Sequence, residues 1–105
     1  ENARDVGSYL RNGLREIANR HLAIGEVRGT GLFIGLELVA DREIRTPAPA
    51  TASALINGLR ERGVLIGAAG AYGNTLKIRP PLCFTREHAD AFIDHCDAVL
   101  AQIEG

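Results

Sequence analysis

Lysine is almost missing from this sequence. Twelve residues are basic, yet only one, Lys77, is a lysine. It lies in "TLKIRPPLCF", two residues before Arg79 and just ahead of Pro80 and Pro81. Cysteine is scarce as well. Cys83 and Cys96 do not form a C-x-x-C pair and have no histidine at metal-ligand spacing, so they read as reduced and buried. Both lie among apolar residues, where cysteine behaves as a small hydrophobe, and reduced cysteines favour the cytoplasm. An excess of either charge is missing too. A net charge of -1 gives no electrostatic footprint for nucleic acid or for an anionic membrane. No apolar run approaches the roughly 18 residues of a membrane helix. The opening "ENARDVGSYL" lacks the basic and apolar regions of a signal peptide. It also lacks an initiator methionine and already reads as helix interior, so the chain is expected to be a piece of a longer polypeptide.

What is present fits one small globular domain, with 46% hydrophobic and 24% charged residues over 105 positions. Val6, Leu10, Leu14, Ile17 and Ala18 recur at spacings of three and four, which predicts an amphipathic helix over residues 2 to 21. The period then changes. Leu32, Ile34, Leu36 and Leu38 alternate with Phe33, Gly35, Glu37 and Val39, which predicts a strand with one fully apolar face. Gly29 and Gly31 predict a tight turn or bulge before it, after a short strand near residues 26 to 28. "DREIRTPAPA" reads as a polar connection. A second helix is predicted over residues 50 to 62, with Ala52, Leu55, Ile56 and Leu59 as its stripe and Gly63 as its stop. "VLIG" and "TLKIR" read as an antiparallel pair of short strands joined by the glycine-rich "AAGAYGN". Thr85 is an N-cap for a last helix whose stripe is Ala89, Phe92, Ile93, Cys96, Val99, Leu100 and Ile103. Together these elements predict a two-layer α/β sandwich. Its small, mainly antiparallel sheet of about four strands is covered by about three helices.

Few residues carry a chemical signal. "GAAGAYG" lacks the GK[ST] ending of a phosphate loop and leads into a strand, where a dinucleotide fingerprint would open a helix. It reads as a hairpin loop, with Tyr72 placed to touch a ligand brought by another domain. His88 and His95 lie seven apart, where a zinc pair on a helix takes i, i+4; they read as solvated positions. Ser8 and Ser53 have no nucleophile elbow around them. Glu37 reads as an interdomain ion-pair or hydrogen-bond partner rather than a catalytic acid. In "TLKIRPPL", alternation sets Leu76 and Ile78 on one face and Thr75, Lys77 and Arg79 on the other. The residue before proline is held extended. Two cations on a rigid strand end form an anion receptor or, equally, a solvated or interdomain ion-pairing face.

The stretches "VRGTGLFIGLELV", "RERGVLI" and "GNTLKIRPPLCFTREHADAFIDHCDAVL" resemble the C-terminal small domain of class III aminotransferases, pyridoxal-phosphate enzymes of fold type I. The resemblance covers essentially the whole chain, and "LKIRPPLCF" is nearest to the branch of alanine–glyoxylate aminotransferases and related phospholyases. It implies that residues 1–105 are a single small domain that closes over an active site. The implied enzyme transfers an amino group from an amino acid or amine to a 2-oxo acid, as a homodimer. It further implies that pyridoxal phosphate and its Schiff-base lysine belong to a large domain outside this chain, so this polypeptide alone is expected to be inactive. Family members commonly carry a carboxylate-binding arginine three residues before the Pro-Pro pair; here that position is Lys77. Lysine offers a point charge where arginine offers a two-pronged fork. The resemblance therefore makes Lys77 and Arg79 the substrate-binding residues. It leaves open a phospholyase acting on phosphorylated amines. A free-standing α/β ligand-binding module is the reading from outside the enzyme class.

Overall fold

The computed structural model describes residues 2–30, 33–43, 46–64, 66–69, 73–79 and 85–104. The element order is α1 (Asn2–Ala18), β1 (Ile24–Thr30), β2 (Phe33–Asp41), β3 (Thr46–Pro47), α2 (Pro49–Glu61), β4 (Gly67–Ala69), β5 (Thr75–Ile78) and α3 (Arg86–Glu104). The main sheet runs β1-β2-β5-β4, antiparallel at every step, with β3 added at the far end of β2. The expected α/β sandwich is therefore what the chain forms, with one extra two-residue strand in the proline-bearing connection.

Period-two patterning explains the layers. Ile34, Leu36 and Leu38 of β2 and Leu76 and Ile78 of β5 are buried, and they join one cluster with the stripes of all three helices. Val6, Leu10, Leu14 and Ile17 come from α1, Ala52, Leu55 and Leu59 from α2, and Ala89, Phe92, Cys96, Val99 and Leu100 from α3. Two glycines let α3 lie close to its neighbours. A Cβ at Gly13 would collide with Ile93, and one at Gly58 with Val99. Burial pushes the Cys96 thiol up to about 12, so it stays a neutral core group.

Several boundaries differ from the sequence reading. The first helix ends at Ala18 rather than residue 21, its end tightening into turns at Asn19 and Arg20, and Arg42, just after β2, binds that end. That guanidinium donates to the carbonyls of Ala18 (2.7 Å), His21 (3.1 Å) and Ile24 (2.9 Å). Gly29 stands in the ladder opposite Ile34, and the irregularity in β1 falls between Ile24 and Glu26 instead. The expected strand "VLIG" shifts to Gly67–Ala69. Gly63 adopts φ 87°, and the Val64 amide bonds back to the Leu59 carbonyl at 2.9 Å, so Val64 completes the end of α2. Ile103 is exposed, because α3 outruns the core. Thr85 does cap α3, with its Oγ1 accepting from the His88 amide at 3.2 Å. His88 Nδ1 accepts from the Thr85 amide at 3.1 Å, a reciprocal box in which histidine replaces the usual acid. Gly31, Leu32, Leu65, Tyr72, Pro80, Pro81 and Cys83 lie outside the described residues.

His21 is the one strongly buried ionisable group among the described residues that has two carboxylates on it. Carboxylates only accept, so the doubly protonated ring donates from Nε2 to Asp97 (2.6 Å) and from Nδ1 to Glu104 (2.9 Å). Burial presses the ring toward its neutral form, but the two hydrogen bonds outweigh it and hold the pKa above the ordinary 6.5. Asp97 is held below its ordinary 3.8, first by the His21 hydrogen bond, against its partial burial, with help from Arg20.

Two stability tests follow from this packing. The raised histidine pKa contributes stability that is complete below about pH 6.5 and is lost as pH rises through the folded value. The lowered Asp97 pKa contributes above about pH 3.8 and is lost on acidification. Urea denaturation followed by circular dichroism should therefore show lower stability near pH 8.5 than near pH 6, and His21→Gln should flatten that difference. Separately, Phe92→Ala should cost roughly 3–5 kcal/mol in the same assay, because it empties a buried aromatic site; a loss under about 1 kcal/mol would mean that Phe92 carries little of the core.

Candidate functional site

The sheet has a second face, made by the alternate residues of each strand. On it stand Glu26 and Arg28 of β1, Phe33, Gly35 and Glu37 of β2, Gly67 of β4, and Thr75 and Lys77 of β5. Arg79 follows the last residue of β5 and is exposed, as is Lys77. The structure thus brings the two sequence-derived site residues together, on the side opposite Leu76 and Ile78.

Lys77 pairs with Gly35 on one neighbouring strand and Gly67 on the other. Neither partner carries a side chain beside the lysine; next to Gly35 the nearest side chain is that of Thr75. A Cβ at Gly67 would meet nothing within 4 Å. The Lys77 Nζ lies 4.6 Å from the centroid of the Phe33 ring, and the Arg79 guanidinium carbon lies 5.0 Å from it. Both cations therefore sit against the negative face of one aromatic ring. Arg28 stands across Gly35 from Lys77, and its guanidinium is 3.8 Å from Glu26. Glu37, read from the sequence as a polar partner on this face, is half-buried and opposite Thr75.

The position of Lys77 is set by the start of its strand. Gly73 turns the chain with φ 65°, a conformation that glycine adopts without strain. Asn74 is buried beside it. Its carbonyl accepts from the Leu38 amide at 2.8 Å, and its side-chain Nδ2 donates to the Leu38 carbonyl at 2.9 Å. These two bonds pin β5 against β2 one step before the ladder, and the ladder then sets Lys77 opposite Gly35. Neither Asn74 nor Phe33 was identified from the sequence. Phe33 had a signal, since it occupies the same phase of β2 as Gly35 and Glu37.

His88 and His95 do not come together as ligands. His88 caps α3, and His95 Nδ1 lies 3.2 Å from Arg62 Nη1. Among the described residues, no cluster of three or more His, Cys, Asp or Glu is placed to hold a metal ion. No helix there is long and apolar enough to cross a membrane.

The family model for class III aminotransferases matches residues 1–100. The chain belongs to that family. It is 45% identical over 103 residues to the mitochondrial alanine–glyoxylate aminotransferase 2 homolog 2 of Arabidopsis thaliana, covering 98% of this chain and 22% of that protein. It is 41% identical over 101 residues to the ethanolamine-phosphate phospho-lyase homolog 1 of Caenorhabditis elegans, covering 95% and 22%. Among solved structures, a phospholyase from Arthrobacter in complex with phosphoethanolamine superimposes with a TM-score of 0.87 at 46% identity, covering 95% of this chain and 24% of that one. The chain thus spans about a quarter of the length of these class III relatives, and its architecture is that of the aminotransferase small domain.

Asn74→Ala tests the strand anchor. The Leu38 carbonyl keeps a second donor, the Ala48 amide at 3.1 Å, so it is not orphaned. The expected loss is therefore that of one ordinary hydrogen bond, about 0.5–1.5 kcal/mol in urea denaturation. A loss well above about 3 kcal/mol would show that Asn74 holds more than the strand start.

Proposed function

We propose that residues 1–105 are the C-terminal small domain of a longer pyridoxal-phosphate enzyme, and that this domain presents Lys77 and Arg79 to an anionic group of the substrate. One observation carries the reading: two exposed cations at the end of β5, opposite its core face, with glycines beside Lys77, in a chain of this family. A cation fixed by a strand is aligned before the substrate arrives, which reduces the ordering cost of binding.

The chain's described residues do not by themselves fit a cradle for pyridoxal phosphate. Its one lysine is an exposed strand residue set against an aromatic ring, with glycines beside it on both neighbouring strands. The reading therefore assigns the cofactor, which supplies the electron sink for amino-group chemistry, to a large domain of the same longer chain. It also adopts the homodimer implied by the family resemblance, and a reducing compartment, the cytoplasm, in keeping with the neutral, buried Cys96 thiol.

The first reaction assigned is transfer of an amino group from an amino acid or amine to a 2-oxo acid. A second reading is favoured by the lysine itself and by the likeness to the two phospholyases. In it, Lys77 receives the phosphate of a phosphorylated amine, and inorganic phosphate is released. Family membership speaks against a free-standing binding module.

Steady-state kinetics on the full-length enzyme test the assignment. Lys77→Ala opens no core cavity and should change stability by less than about 1 kcal/mol. It should remove a charge-assisted contact of roughly 1.5–3 kcal/mol and weaken the anionic substrate about tenfold to a hundredfold. Lys77→Arg should preserve binding of a planar carboxylate and impair that of a phosphate held at fitted distance. Product analysis separates the two reactions: oxo-acid formation supports transamination, and phosphate release supports elimination. Unchanged affinity and full activity in Lys77→Ala would remove Lys77 from the site.

A further inference from the structure

Lys77 and Arg79 are two residues apart on one strand face, so their stems emerge only about 7 Å apart. Like charges at that spacing repel and tend to splay. Both lie against Phe33 on the neighbouring strand. The ladder of β2 and β5 ends at Ile34 and Ile78, and Phe33 and Arg79 are the next residue of each strand. The ring meets the ammonium at 4.6 Å and the guanidinium at 5.0 Å. It is half-buried and outside the helix-facing core cluster, so it is not there to fill the interior.

We infer that Phe33 is a positioning and specificity-determining residue, whose ring gathers Lys77 and Arg79 into one dipodal receptor for a substrate anion. This inference rests on the proposed role of Lys77. The ring's negative face offsets the repulsion between the cations and limits the rotamers of both side chains. An anion arriving beside Gly35 and Gly67 then meets two donors already converged. The aromatic ring makes no bond with the anion; it acts through the two cations.

The test uses the full-length holoenzyme and isothermal titration with two probes, phosphoethanolamine and L-alanine. For the probe that the wild type binds, Phe33→Leu should weaken binding about threefold to tenfold while the unfolding midpoint stays unchanged. Phe33→Tyr, which keeps the ring, should restore wild-type affinity. Pentafluorophenylalanine at position 33 keeps the shape and reverses the charge of the ring face, so it should weaken binding as leucine does. That substitution also decides the matter if Phe33→Leu fails to fold. Lys77→Ala separates the role of Phe33 from that of the cation it positions. If it weakens the probe while the leucine and fluorinated variants bind as wild type, the role of Phe33 is overturned and the role of Lys77 stands. If Lys77→Ala leaves binding unchanged, or the wild type binds neither probe, the reading of the site falls and the inference with it.

Discussion

The register of β5 against β2 is the constraint on which this domain depends. Side chains alternate along a strand, so a slip of one residue would carry Leu76 and Ile78 to the open face and Lys77 into the core. An unpaired lysine in that cluster would cost far more than exposing the two apolar side chains. The arrangement is therefore fixed from both sides: by the apolar pair that must be buried, and by the cation that cannot be. Asn74 adds a local device, because its two bonds to Leu38, one from the backbone and one from the side chain, fix the step just before the ladder.

The helical layer is secured by groups that do not touch the open face. Arg42 ties the end of β2 to the last turn of α1 and the start of β1. Arg15 of α1 donates to the Val27 carbonyl at 3.2 Å on the edge strand β1. His21 joins that same corner to the far end of α3 through Asp97 and Glu104. The open face is thereby left to vary in chemistry while the layer behind it holds the sheet.

The apolar periodicities were legible in the sequence, and they were sufficient for the layers. The stripes of α1, α2 and α3 and the alternation in β2 and β5 sit where their spacing places them, because burying those faces dominates the energetics of a small domain. What the periodicity missed has a common cause. Arg42, His21 and Asn74 act through a few hydrogen bonds each between segments distant in sequence, and no local pattern marks them. The strand "VLIG" was misplaced because Val64 and Ile66 look like strand residues but pack beside the core after the helix stop at Gly63. Lys77 and Arg79 stood out because charge on an otherwise apolar strand breaks the pattern, whereas Phe33, being apolar, did not.

That last contrast bears on how such a face works. Of the side chains on it, the cations are conspicuous, yet their geometry is set by neighbours that carry no charge. Gly35 and Gly67 withhold side chains from the two sides of Lys77, and Phe33 supplies a surface against which both cations lie. A lysine stem is flexible and gains little when it must order itself on binding. Held by a strand backbone and a ring, the same ammonium has fewer conformations to lose. The single lysine of the chain thus lies against an apolar ring that narrows the freedom of its stem.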